Sequence, residues 1–386
     1  MKFEVSGGFL MKVLGFLFGA LVGGGSVILF LTLRDTLSLS PPSVFLFVPI
    51  LAAALFLTVL IHELGHFAAG KMVGYRFYIL TVGPLMVEKR SARLRFRLNK
   101  YLNVAGGLTL MLPDGNHFRN RELAWFIAGG PAASILAALL FIYLPFLLPE
   151  TDGTGLYNLL LYSILLTGVV NALIGFLSLA PEQSGELETD GKQLLDLRRG
   201  GHRAEVRQLV MQITLDSFSG IRPSDLDRDL IERLLIATSD VRDSDRILAH
   251  LYAYLSDIDS GRSESAEDHL NRAVELSHEA EKKSIIAPTT FLEAAFYEAF
   301  YKKNPDRARV LAELARKGYT EESSVIRMEA AIAMAEGDTE TAVVKANKAI
   351  ELTKGGHDKG GGIWEEEVLR KIAENNVGTP TTPGQP

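Results

Sequence analysis

Apolar and polar positions are distributed so unevenly along this chain that it divides in two before any motif is considered. Up to about residue 181 the sequence runs in long apolar blocks, and beyond it charged residues recur throughout. Four stretches, 13–33, 44–61, 123–149 and 154–181, carry no Asp, Glu, Lys or Arg. Each is close to or above the ~20 apolar residues that cross a bilayer. The first spans 21 residues behind Lys2 and Lys12, longer than the ~7–15 of a signal-peptide core, so a retained helix is expected. Between the second and third stretches, Arg93-Leu94-Arg95-Phe96-Arg97-Leu98 alternates with a period of two, the mark of a strand with one apolar face. Together with 77–87 and 104–112 it predicts a small sheet at the membrane surface. Such strands cannot cross lipid unpaired.

From about residue 205 to 376 the pattern is helical and polar. Ala308, Ala312 and Ala315 recur as Ala342, Ala346 and Ala349, an offset of 34 (342 − 308), which Ala299 and Ala333 share. Lys303-Asn304-Pro305-Asp306 falls opposite Gly337-Asp338-Thr339-Glu340 as the turn between paired helices, and Ala266 and Ala273 repeat the seven-residue alanine spacing. A period of 34 with small residues at helix crossings resembles tetratricopeptide repeats, which stack into concave partner-binding surfaces. The expected architecture is an α-helical polytopic membrane protein. Four transmembrane helices and a small membrane-surface β-sheet make up residues 1–200, and an all-α helical-repeat soluble domain makes up 201–377. The Pro-rich end, 378–386, is expected to be a disordered tail.

Charge orients these elements. Segment 71–121 holds ten basic residues (Lys71, Arg76, Lys89, Arg90, Arg93, Arg95, Arg97, Lys100, Arg119, Arg121) against Glu88 and Asp114, whereas the connection around Glu150 and Asp152 has no Lys or Arg. Positive charge stays on the cytoplasmic side. The basic segment and everything after Pro181 then face the cytoplasm of a bacterial-type inner membrane. A net charge of -6 and 47% hydrophobic residues point to membrane lipids rather than nucleic acid as surroundings. The chain has no cysteine, so disulfides and thiolate metal sites are excluded and any metal rests on His, Asp and Glu.

At the inner end of the second stretch stands His62-Glu63-Leu64-Gly65-His66. Residues four apart share a helix face, so the two imidazoles can converge on one ion, and Glu63 can reach a metal-bound water without being a ligand. This is the zincin arrangement. Zinc suits such donors, with one position left for water. Ionisable groups inside a span are costly and mark function by default. A third ligand is required, and Asp114, His117, Glu182, Glu186, Glu188 and Asp190 are the candidates.

The motifs taken together resemble the site-2 protease family of intramembrane zinc metalloproteases over residues 50 to 195. The resemblance rests on Ile61-His62-Glu63-Leu64-Gly65-His66 with Gly74 downstream, on Gly83-Pro84-Leu85, on Ala128-Gly129-Gly130-Pro131-Ala132-Ala133, and on Thr189-Asp190-Gly191. It implies Zn2+ as cofactor, held by His62, His66 and Asp190, with Glu63 as general base. It also implies transmembrane protein substrates cut within or near the bilayer. Ser178 stands where the family carries an Asn three residues before Pro181, and Asn171 lies seven residues earlier; these two are the expected substrate-positioning residues. The gap from Pro181 to Asp190 is longer than the common pattern. A reading of another class is a catalytically silent membrane scaffold whose cytoplasmic helical repeats recruit partner proteins. Stoichiometric zinc separates the two.

Overall fold

Apolar blocks this long form helices because only intrasegment hydrogen bonds satisfy the backbone in lipid. A computed structural model describes residues 7–90, 93–99, 106–114, 119–150, 155–184, 187–239, 243–280, 284, 286–318, 320–356 and 358–374. His117, Glu186 and the tail 378–386 lie outside the described residues. The chain forms two compact units. One takes in residues up to Glu88, Phe96–Leu112 and Arg119–Arg199; the other takes in Lys89–Arg95, Pro113–Phe118 and the chain from Gly200 onward.

The first unit contains the long helices α1 (Gly7–Thr36), α2 (Val44–Met72), α3 (Asn120–Leu147) and α4 (Gly155–Leu179). Among the described residues, α2, α3 and α4 are long and apolar enough to cross a membrane. Phe45, Leu140 and Leu156 stand exposed on them, as side chains facing hydrocarbon do. Helix α1 covers the stretch expected to form the first span and packs on α4, where Phe30 meets Tyr162 edge-on at 5.3 Å.

Glycines set the helix crossings. A methyl group on Gly65 would lie 2.4 Å from the Gly129 carbonyl oxygen, and one on Gly129 would lie 2.5 Å from the Gly65 carbonyl oxygen. The backbones of α2 and α3 therefore touch, the packing that small residues permit between membrane helices. Gly168 likewise brings α4 close to α3 at Ile142, where a methyl would sit 2.9 Å from a backbone nitrogen.

Between α2 and α3 come β1 (Tyr75–Val82), β2 (Leu85–Arg90), β3 (Arg93–Leu98) and β4 (Leu108–Pro113), in the sheet order β3-β2-β1-β4. Residues 77–87, expected as one segment of the sheet, form a hairpin. Val82 pairs with Leu85 across Gly83-Pro84. Gly83 takes φ +52°, as the first position of a two-residue hairpin turn requires, and Pro84 has no N–H for a ladder. After α4 come β5 (Gln183–Ser184) and β6 (Leu187–Glu188), a short antiparallel pair, and then α5 (Asp190–Arg199).

The second unit is helical: α6 (His202–Ser219), α7 (Arg228–Ala237), α8 (Asp243–Asp259), α9 (Ser263–Ala280), α10 (Ala287–Phe300), α11 (Pro305–Ala315), α12 (Glu322–Ala335), α13 (Thr339–Thr353) and α14 (Lys359–Ala373). Helices α10 and α11, and α12 and α13, pack as neighbours. Every alanine of the 34-residue pattern is buried. The turns repeat as well. Asn304 caps α11 by accepting from the Arg307 N–H at 3.2 Å, and Asp338 caps α13 by accepting from the Thr341 N–H at 3.1 Å.

Candidate metal centre

The centre begins with two residues one helical turn apart. His62 and His66 lie on the buried face of α2, which also carries Thr58, Glu63 and Gly65. Both imidazoles meet α3 where it has no side chain: a methyl on Gly130 would lie 2.3 Å from His66 Nε2 and 2.7 Å from His62 Nε2. The α2–α3 glycine contact thus places the backbone of α3 against the two ring nitrogens that face each other, 3.3 Å apart.

The opposite nitrogens are held from outside. His66 Nδ1 is 2.9 Å from the Phe126 carbonyl oxygen. A carbonyl only accepts, so Nδ1 is the donor, and in the neutral ring Nε2 is then the nitrogen that can bind a metal. His62 Nδ1 is 3.0 Å from the Ser134 hydroxyl, which is fully buried on α3. Partners of this kind fix ring orientation and tautomer at metal sites.

The third donor arrives from 128 residues along the chain. Asp190 Oδ2 lies 3.1 Å from His62 Nε2, and Asp190 Oδ1 lies 3.5 Å from His66 Nε2. Its placement follows from the way the chain returns after α4. The β5–β6 hairpin takes up the extra length after Pro181. Thr189 Oγ1 donates to the Ala180 carbonyl and accepts from the Glu182 N–H at 3.2 Å. Next to it, Gly191 sits so close to the end of α4 that a methyl would overlap the Leu179 carbonyl oxygen at 1.9 Å. Only glycine lets the start of α5 press against α4 and bring Asp190 to the imidazoles. The Asp-Gly pair is thus one ligand and the clearance that seats it.

Among the described residues, His62, His66 and Asp190 form the one group of three side chains whose ligand atoms converge closely enough to hold an ion. The other described candidates, Asp114, Glu182 and Glu188, are not part of it. The donor chemistry fits a cation. Two imidazole nitrogens and a carboxylate, all within 4.8 Å of one another, are a donor set that a divalent metal takes.

The sequence matches Peptidase family M50 over residues 50–352. The chain belongs to this family, the site-2 proteases. No curated protein and no solved structure matches it. It is therefore a membrane-embedded metalloprotease, and its His62–His66–Asp190 cluster could hold a metal.

Glu63, next to the first histidine, is buried and lies against β4. Its Oε2 accepts from the Thr109 hydroxyl at 2.6 Å. Gly107, at φ +112°, lies so near that a methyl there would be 2.4 Å from Glu63 Oε1. Asn171 and Ser178 make other bonds. The fully buried Asn171 donates from Nδ2 to Thr58 Oγ1 at 2.9 Å and to the Thr167 carbonyl at 2.8 Å. It ties α4 to α2 one turn before His62. Ser178 donates to the Gly175 carbonyl of its own helix at 3.0 Å.

The sequence reading missed Ser134, Thr109 and Gly107. Ser134 had a faint signal, as a hydroxyl one turn after Gly130 in a charge-free span. Thr109 and Gly107 had none.

Proposed function

We propose that this metalloprotease is a zinc-dependent intramembrane endopeptidase acting on transmembrane-anchored proteins, with His62, His66 and Asp190 as zinc ligands and Glu63 as general base. The observation that carries the proposal is the spacing of the three donors, 3.1, 3.3 and 3.5 Å. An ion bonded to tetrahedral donors at ~2.0–2.1 Å separates them by about 3.3–3.4 Å. Two imidazoles favour zinc over calcium or magnesium, which take oxygen ligands.

Zinc bound there supplies a Lewis acid that brings a water pKa to about 7 and polarises a peptide carbonyl. The chain does the rest. Ser134 and the Phe126 carbonyl hold the two imidazoles in orientation. Glu63 accepts a proton from the attacking water as its oxygen adds to the scissile carbonyl, then returns that proton to the leaving amide nitrogen as the C–N bond breaks. A substrate helix must unwind first, since helical peptide bonds are shielded by their own hydrogen bonds. An exposed sheet edge can hold the unwound segment by backbone pairing, and β4 is the edge strand that also touches Glu63.

In this reading α1 is the first of four crossings, the basic segment 71–121 faces the cytoplasm of a bacterial-type inner membrane, and residues 1–200 form the protease domain. Residues 201–377 form a cytoplasmic domain of tetratricopeptide-like helix pairs that bind a protein partner. The caps at Asn304 and Asp338, 34 residues apart (338 − 304), support the repeat. Asn171 supports the site by fixing α4 against α2, and Ser178 stands where the family carries its substrate-positioning Asn.

Replacing Glu63 with Gln tests the reading. The variant is expected to keep stoichiometric zinc by elemental analysis and to lose cleavage of a transmembrane substrate by at least about 10²-fold. Wild-type protein without zinc would leave the silent scaffold, and a fully active variant would remove Glu63 from the chemistry.

A further inference from the structure

Helix geometry fixes where the Cα–Cβ bond of Glu63 points, but not its carboxylate, which sits three rotatable bonds from the backbone. A general base misplaced by even 1 Å costs about 10²-fold in rate, so something outside α2 must hold it. The two oxygens of Glu63 meet two residues that are neighbours on one short segment. Thr109 Oγ1 lies 2.6 Å from Oε2 and 3.2 Å from the Glu63 carbonyl oxygen. A hydroxyl has one proton to donate, and the shorter contact to the carboxylate takes it. On the other side the backbone of Gly107 closes against Oε1, with no room for even a methyl group.

We infer that Thr109 is a positioning residue for hydrolysis: its hydroxyl fixes the Glu63 carboxylate, and Gly107 forms the opposite wall of the clamp. The inference rests on the reading of Glu63 as general base. The clamp belongs to the sheet and not to the helical bundle, so it reaches the base without touching either imidazole through any hydrogen bond described. Thr109 therefore acts on the rate of the chemical step and leaves metal binding alone. The Glu63 oxygen that Thr109 occupies is held in place, and Oε1 is left without a hydrogen-bond donor among the described contacts.

The test uses full-length protein in detergent and a fluorogenic transmembrane reporter helix that the wild type cleaves. Thr109→Val, which removes the hydroxyl and keeps the shape, is expected to lower kcat by about 10–100-fold, in the range seen when a supporting partner is lost. KM and bound-metal stoichiometry should stay as in wild type, and the variant should still unfold cooperatively, if at a somewhat lower temperature. Thr109→Ser, which restores the donor, should recover kcat to within about twofold. Should valine pack badly, Thr109→Ala removes the same hydroxyl without the extra methyl and is expected to show the same split.

A Thr109→Val or Thr109→Ala enzyme with wild-type kcat would overturn the inference. So would a serine variant as slow as the valine one, or a loss of rate that tracks a loss of metal. Glu63→Gln run in parallel separates the two levels. If it is inert while Thr109→Val is fully active, only the role of Thr109 falls. If it is active, the general-base reading falls and takes the clamp with it.

Discussion

The two units bury polar groups for different ends. In the membrane unit, His62, Glu63, His66, Ser134 and Asn171 are buried within a few turns of one another, and each is oriented by a neighbour from another element or turn. In the helical unit Arg327 is a deeply buried charge, 2% exposed. It pairs with Glu293 and Glu365 and lies over the rings of Phe296 and Trp364 at 4.4 and 5.0 Å. There the cation is met by two carboxylates of its own unit. In the membrane unit two imidazoles and a carboxylate converge closely enough to hold an ion. Small residues differ in the same sense. Alanines let helices pack in the second unit, whereas Gly65, Gly129, Gly130 and Gly191 clear space for a site in the first.

The largest effect that tests this contrast is expected at Gly130. Adding one methyl, Gly130→Ala, places a carbon within 2.3 Å of His66 Nε2 and 2.7 Å of His62 Nε2, so at least one ring must move. Elemental analysis should show the metal lost, and proteolysis should fall by about 10²-fold or more. An active, metal-loaded Gly130→Ala protein would mean that the glycine clears no space for the ion.

Arg327→Ala is next in size. It leaves Glu293 and Glu365 buried without their cation, and Glu293 Oε2 already has no hydrogen-bond partner. Burial, partly offset by Arg327, already holds the Glu365 carboxyl above its ordinary range. Stability measured by denaturant unfolding should drop by about 3–5 kcal/mol. Adding Glu293→Gln and Glu365→Gln to the same chain should recover part of the loss. No recovery would show that the arginine matters through its ring contacts and not its charge.

The smallest effect concerns pH. His250 and His269 face each other through their Nδ1 atoms at 3.0 Å. Burial first, then the neighbouring His269, Arg272 and Arg246, lowers the His250 pKa from 6.5 to about 4. The folded chain thus binds fewer protons here than the unfolded one between those values, so stability falls as pH drops from about 6.5 towards 4. The effect is modest because the group is partly solvated. His250→Asn should flatten the pH dependence of the unfolding temperature in that window. An unchanged slope would place the acid sensitivity elsewhere.

The helical parts were legible because their signals are local. A charge-free block predicts a helix in lipid from the backbone's own hydrogen bonds. A 34-residue alanine offset predicts which faces are buried, and both readings agree with α2, α3, α4 and the buried alanines of α10 to α13. The hairpin at Gly83-Pro84 was less legible, because the apolar run continues on both sides of a tight turn.

That His62 and His66 converge could be read from the sequence alone, since a spacing of four on a helix fixes a shared face whatever surrounds it. The third donor could not. Six carboxylates and imidazoles were open on residue type and topology, and the preference for Asp190 came from family resemblance. What singles it out physically is a steric contact, Gly191 against the Leu179 carbonyl, together with a hairpin that takes up the extra chain. Thr109 is further still from prediction, because a hydroxyl on a surface strand becomes a partner of Glu63 only when β4 lies along α2. Short-range periodicity is written into the order of residues, whereas the approach of segments 46 and 128 positions apart depends on which backbones can touch, and that is decided only when the chain is packed.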